Sequence, residues 1–286
     1  MAGYSDRFTL LNNDLLAYIF WSNEDANSRP SPTLRFQNLR DPGATPAPIE
    51  NVWSYRVSPD QRFIALTQID DVNTAFASSR LSVIPVEGGP PIWESAGASS
   101  PNWVPDGRQF IYAEFDSSGQ WVAFRSVDLD SGESREFINR NLLSPPLEAT
   151  YAEAVWSPTG EWLAMVTGGQ PSNNQIWLVG PDGSEPRLMV VSQDYIGPPR
   201  FSADGQFLAA IVYAPNSNGQ LQIINVPTGE IVVQTIASLN AYDWSPTGHQ
   251  LALAKYDGLY RLTDPAAEPQ RLNNNACYSV AWNPTR

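Results

Sequence analysis

Histidine and cysteine are almost missing from this sequence. Its 286 residues include one of each, His249 and Cys277. A single cysteine forms no internal disulfide, so nothing ties the chain to an oxidising compartment. One histidine and one cysteine leave a zinc site without ligands. A Ser-His-Asp triad would have to be built around His249, and no nucleophile is spaced to suit it. There is no Gly-x-Ser-x-Gly elbow either. Positive charge is scarce: 17 Lys and Arg stand against 30 Asp and Glu, a net charge of −13. That average field repels phosphate backbones and anionic lipid surfaces, so neither nucleic acid nor a membrane surface is an expected partner. No run approaches the roughly 18 apolar residues of a membrane span. The first residues, Met-Ala-Gly-Tyr-Ser-Asp-Arg, lack the apolar core of a secretory signal. Helical periodicity is missing as well, because no stretch of about 12 residues keeps a 3.6-residue apolar period free of Gly and Pro.

What the chain does have is turn formers and aromatic residues. There are 19 glycines, 25 prolines and ten tryptophans, and hydrophobic residues make up 42%. This profile suits many short strands joined by tight turns. Six segments share one layout, an aromatic residue or Val followed by a tight turn. They are Val57-Ser58-Pro59-Asp60, Trp103-Val104-Pro105-Asp106-Gly107, Trp156-Ser157-Pro158-Thr159-Gly160, Phe201-Ser202-Ala203-Asp204-Gly205, Trp244-Ser245-Pro246-Thr247-Gly248 and Trp282-Asn283-Pro284-Thr285. Measured from positions 58, 104, 157, 202, 245 and 283, the spacings are 46, 53, 45, 43 and 38. Periods of about 40–50 residues mark propellers and related arrays. Ser can bond back to the backbone, Pro presets φ, and Gly supplies the left-handed position. Gln61 stands where Gly is expected, Ala203 where Pro is, and Val104 where Ser is.

Each turn leads into a short apolar run, such as Phe63-Ile64-Ala65-Leu66-Thr67 or Phe207-Leu208-Ala209-Ala210-Ile211-Val212. Such runs read as strands buried on both faces. A third strand, a second hairpin and a more polar fourth strand complete each unit. The expected fold is therefore all-β: one domain, a six-bladed β-propeller with four antiparallel strands per blade. The expected blades are 276–286 plus 12–50, 51–97, 98–148, 149–194, 195–237 and 238–275. The first is a composite, closed by one C-terminal strand, Tyr278 to Trp282, and three N-terminal strands. The segment from Arg7 to Leu11 has no place in this scheme.

The motif aromatic-Ser-Pro-Asp-Gly-x-x-Leu-Ala resembles the repeat of TolB-type, WD-like bacterial propellers, and also the propeller domains of prolyl oligopeptidase relatives. The resemblance covers nearly the whole chain. It implies the propeller fold and a periplasmic, extracellular or cell-envelope location, but no particular activity, because propellers of this kind serve many partners.

The repeated aromatics are expected to pack between blades. Function is expected in the residues that do not repeat. Trp53, Tyr55, Tyr151, Tyr195, Tyr242 and Tyr278 fall on the face where inner strands begin, with the long loops Ser22–Pro32, Asp70–Ser79 and Asn141–Thr150, the last carrying Leu142, Leu143 and Leu147. Tyr and Trp combine contact area with a polar handle at little entropic cost, which suits recognition. The expected function is non-enzymatic binding of a protein or peptide by a monomer, with no cofactor. The alternative is a calcium-dependent, lactonase-like hydrolase using Asn102, Glu153 and Asp243. His249 reads as a solvated turn residue, Cys277 as a small semi-buried one, and Asp128-Leu129-Asp130-Ser131-Gly132-Glu133 as a hairpin turn, not a calcium loop.

Overall fold

The computed structural model describes residues 8–11, 14–22, 31–43, 45–69, 79–143, 148–169, 173–213 and 219–282. The chain divides into two compact units, 1–147 and 148–286. Their strands form antiparallel sheets, and helix among the described residues is limited to one short 3₁₀ turn, Arg140–Leu142.

Among the described residues the first unit holds three four-stranded sheets. The first joins β1 (Phe8–Leu10), β2 (Leu15–Ser22), β3 (Ser31–Asn38) and β4 (Ile49–Glu50). The second joins β5 (Val52–Val57), β6 (Phe63–Ile69), β7 (Ser79–Pro85) and β8 (Trp93–Ala96). The third joins β9 (Ala98–Trp103), β10 (Gln109–Phe115), β11 (Trp121–Asp128) and β12 (Ser134–Asn139). The second unit begins with β13 (Tyr151–Trp156), β14 (Leu163–Gly168), β15 (Asn174–Val179) and β16 (Arg187–Ser192). An eight-stranded sheet follows: β17 (Tyr195–Ile196), β18 (Arg200–Phe201), β19 (Phe207–Tyr213), β20 (Gly219–Asn225), β21 (Ile231–Trp244), β22 (Leu251–Lys255), β23 (Gly258–Leu262) and β24 (Gln270–Arg271).

The core lies between sheets. Alternation sends successive side chains of a strand to opposite faces. In β6, Ile64 and Leu66 pack with Leu15, Leu34 and Phe36 of the first sheet, while Ala65 packs with Ala98, Trp103 and Phe110 of the third. In β19, Leu208, Ala210 and Val212 face the β13–β16 sheet, while Ala209 and Ile211 face β22 and β23. Strands covered on both sides carry apolar residues at consecutive positions, which is why they read as hydrophobic runs. Within the eight-stranded sheet, β21 spans 14 residues and bends at Ser238, whose φ is +63°. One continuous strand thus serves both halves, and the two halves pack face to face.

The turn chemistry matches the repeat. Ser58 Oγ accepts from Phe63 N at 2.9 Å and donates to Asp60 at 2.6 Å, and Ser202 does the same with Phe207 N at 3.0 Å and Asp204 at 2.6 Å. Gln61 takes the left-handed position at φ +57° that Gly107, Gly160, Gly205 and Gly248 fill elsewhere. Ala203 has its own reason: its N–H donates to the Gly248 carbonyl of the next turn at 3.1 Å. A proline there has no N–H to give.

One expectation is corrected. The first sheet is not completed by Tyr278–Trp282. Its first strand is β1, paired with β2 through Phe8↔Tyr18, Thr9↔Ala17 and Leu10↔Leu16. Residues 278–282 form no strand. Leu11 N to Leu15 O and Asp14 N to Leu11 O close the intervening turn, with Asp14 at φ +58°. The sequence between residues 11 and 15 contains neither Pro nor Gly.

Candidate functional site

Two kinds of aromatic residue lie on the inner strands. The first kind sits beside the turn. Trp103 is stacked on Phe63 with ring centroids 6.5 Å apart, and its indole N–H donates to the Arg56 carbonyl of the preceding sheet at 3.0 Å. Trp244 donates to Arg200 O at 2.9 Å, and Trp282 to Asp243 O at 2.9 Å. In every case the acceptor is the residue just before the preceding repeat aromatic (or Val57). Trp282 therefore occupies a repeat seat although its segment forms no strand.

Tyr55 and Tyr242 belong to this kind as well. Each lies two residues before its repeat position, on the same strand face. Tyr55 is 1% exposed and its hydroxyl donates to Ala17 O at 2.9 Å; Tyr242 is 7% exposed and donates to Ala209 O at 2.7 Å. Both acceptors lie on the second strand of the neighbouring blade-like layer. These two tyrosines tie layers together and are not available on a surface. Burial pushes the Tyr242 phenol well above its ordinary pKa, so it stays a neutral donor.

The second kind sits at the opposite end, where inner segments begin and second strands finish. In the second unit Tyr151 opens β13, and Tyr195 in β17 pairs with Tyr213 at the end of β19. Ring centroids are 6.2 Å apart for Tyr151–Tyr195 and 5.9 Å for Tyr195–Tyr213. The Tyr151 hydroxyl donates to Glu153, and burial together with that carboxylate drives its pKa far upward. Tyr278 and Tyr256 meet edge-on at 5.6 Å, and Cys277 N donates to Lys255 O at 2.9 Å to hold the segment in place. Exposure separates these residues from the buried pair: Tyr195 is 43% exposed, Tyr256 52% and Tyr278 68%. The first unit repeats the theme at the same end of its own strands, where Trp21 meets half-buried Trp53 edge-on at 5.4 Å. Tyr213, Tyr256 and Trp21 were missed by sequence reasoning, although each follows or ends a second strand, a position that could have flagged it.

The hydrolase residues are already engaged where their partners can be seen. Asp243 accepts from Arg200 at 3.3 Å and from Trp282 N at 2.8 Å. Glu153 accepts from Tyr151. Asn102 lies on β9 opposite Ile111. Among the described residues no group of three His, Cys, Asp or Glu side chains is placed to hold a metal ion. The Asp128 segment is a hairpin turn, with Asp128 Oδ1 accepting from Asp130 N and Ser131 N at 3.0 Å each. His249, expected as a solvated turn residue, is half-buried in its turn: Nδ1 lies 2.8 Å from Asp204 and Nε2 3.4 Å from Asp264, bridging two turns. Of the long loops, 23–30, 70–78 and 144–147 fall outside the described residues; Leu142 is exposed and Leu143 buried. No described helix is long and apolar enough to cross a membrane.

No family model matches this sequence. An uncharacterized protein of Agrobacterium fabrum is 24% identical over 216 residues, 70% of this chain and 68% of that protein. Among solved structures, TolB from Acinetobacter baumannii superposes with a TM-score of 0.55 at 16% identity, over 93% of this chain. The chain spans 66% of the length of that TolB. The β-propeller domain of the Trilobed protease from Pyrococcus furiosus, described as having an open velcro topology, matches with a TM-score of 0.58 at 17% identity, over 92% of this chain and 82% of that one. An oligogalacturonate lyase in complex with manganese matches with a TM-score of 0.60 at 13% identity, over 95% and 76%. At these identities the likeness concerns the fold, and the fold is that of a TolB-like β-propeller.

Proposed function

We propose that this protein is a non-enzymatic binding propeller of six blades, the eight-stranded sheet counting as two, and that it docks a protein or peptide segment on the aromatic leading ends of its inner strands. The observation that carries this reading is the exposed tyrosine pair Tyr256–Tyr278, with Tyr195 at the same end of the second unit. Large aromatic side chains held open to solvent at one end of a sheet stack suit recognition of another chain. An envelope location, which the resemblance carries, goes with this reading. The test is capture from an extract of the source cells, with bound proteins identified by mass spectrometry. Replacing Tyr256 and Tyr278 together by Ala should abolish capture while shifting stability by no more than about 0.5 kcal/mol, as for exposed sites generally. Unchanged capture sinks the reading.

The runner-up is the calcium-dependent hydrolase on Asn102, Glu153 and Asp243. Its support is the presence of lyase and protease propellers among the structural likenesses. A rise in melting temperature on adding calcium, abolished by Glu153→Gln, would favour it.

A further inference from the structure

We infer that the Tyr151–Tyr195–Tyr213 group, with Glu153 beside it, is a receptacle for a cationic side chain, so that the docked segment presents a lysine or arginine there. This rests on the binding reading above and names the chemistry of its partner. Three rings stand in sequence with centroids 6.2 and 5.9 Å apart, and Tyr195 opens the group to solvent. The faces of such rings carry negative potential and attract ammonium and guanidinium groups. Glu153, hydrogen-bonded to the Tyr151 hydroxyl, adds a carboxylate at the inner side.

The receptacle is preorganised. A Cβ at Gly219 would meet Tyr213 Cε1 at 3.2 Å, and one at Gly197 would meet Tyr213 Cε2 at 3.3 Å. Two glycines thus allow the backbone to close on both edges of this ring, fixing its orientation before any ligand arrives. Fixed rings lose little entropy on binding.

The same unit contains an internal version of the arrangement. The Arg200 guanidinium lies 5.9 Å from the Tyr242 ring centroid and 3.3 Å from the Asp243 carboxylate. A tyrosine, a carboxylate and a cation therefore already meet once on these inner strands. The net charge of −13 adds long-range attraction for a basic segment and repulsion for an acidic one.

The probe is a Gly-Ser peptide carrying three lysines, compared with counterparts carrying glutamate or norleucine, titrated at about 0.15 M salt with binding followed by calorimetry and tyrosine-ring NMR. The lysine peptide should bind and shift the Tyr195 ring signals, and the other two should not. Glu153→Gln keeps an acceptor for the Tyr151 hydroxyl and removes only the charge; it should weaken binding about five- to tenfold, and so should Tyr195→Ala. Glu133→Gln removes the same charge from the exposed β11–β12 turn and should change binding less than about twofold. Equal binding of the norleucine peptide overturns the inference, as does an equal loss with Glu133→Gln. Capture of a cellular partner that survives Glu153→Gln but is lost with Tyr256→Ala/Tyr278→Ala refutes the cationic receptacle alone. Failure of the unmodified protein to capture anything refutes the binding reading itself.

Discussion

The turn-side half of the inner strands and their leading ends use the same residue type for opposite purposes. Tyr55 and Tyr242, two residues before the repeat position, are buried and spend their hydroxyls on carbonyls of the neighbouring layer. Tyr195 and Tyr278, several residues earlier, are open to solvent. The difference follows from alternation and distance. A residue two before the repeat aromatic shares its strand face and enters the same inter-sheet core. Tyr195 and Tyr278 lie outside that core, in contact with other tyrosines at the exposed end. Tyrosine fits both places because its ring is apolar and its tip polar. Only the second place leaves the ring exposed to solvent.

The sharpest way to break this comparison is to truncate the turn-side residues. Tyr55→Ala and Tyr242→Ala should each lower unfolding free energy by about 3–5 kcal/mol, the usual loss for a buried aromatic, measured by denaturant titration. A loss below about 1 kcal/mol would place these residues with the leading-end group and erase the distinction.

A second test separates two departures from the repeat. Ala203→Pro restores the commoner residue but removes the N–H that reaches Gly248 O, so it should destabilise by about 1 kcal/mol. Gln61→Gly also restores the commoner residue, here relieving a left-handed backbone at φ +57°. The gain should be about 0.5–1 kcal/mol, because relief of strain exceeds the added chain entropy. Opposite signs in thermal melting support the account; two gains would show that the Ala203 contact contributes nothing.

The smallest effect concerns acid. Burial opposes ionisation of Asp204, but hydrogen bonds from Ser202 and His249 outweigh it and hold the carboxyl below its usual range. A depressed carboxyl stabilises the fold above its ordinary pKa near 4, and that contribution fades as pH falls through the lower folded value. Urea midpoints of the native chain and of Asp204→Asn should therefore differ at neutral pH and converge below about pH 4. A gap independent of pH contradicts the assignment.

Much of this was legible in the sequence, for one physical reason. The turns that carry Ser, Pro and Gly have strict backbone needs, and those needs show in the residues. Strands covered on both faces show in the same way, as apolar runs. β1 escaped because the segment from Arg7 to Leu11 carries none of the repeat's turn or apolar-run signals, although Asp14 takes a left-handed position just before β2. The fate of Tyr55 and Tyr242 was within reach: counting two residues back from Val57 and Trp244 puts both on the packed face. The company of Tyr195 was not. Its contact with Tyr151 joins different sheets of one unit, and its pairing with Tyr213 depends on where β19 ends. Sequence spacing does not give such distances.

The most direct measurement is nitration of the native protein with tetranitromethane, each tyrosine followed by peptide mass spectrometry, with and without a captured partner. Tyr195, Tyr256 and Tyr278 should react first and become protected when the partner is bound, while Tyr55 and Tyr242 stay unmodified throughout. Early modification of Tyr55 or Tyr242, or leading-end tyrosines that react equally with and without the partner, would contradict the account.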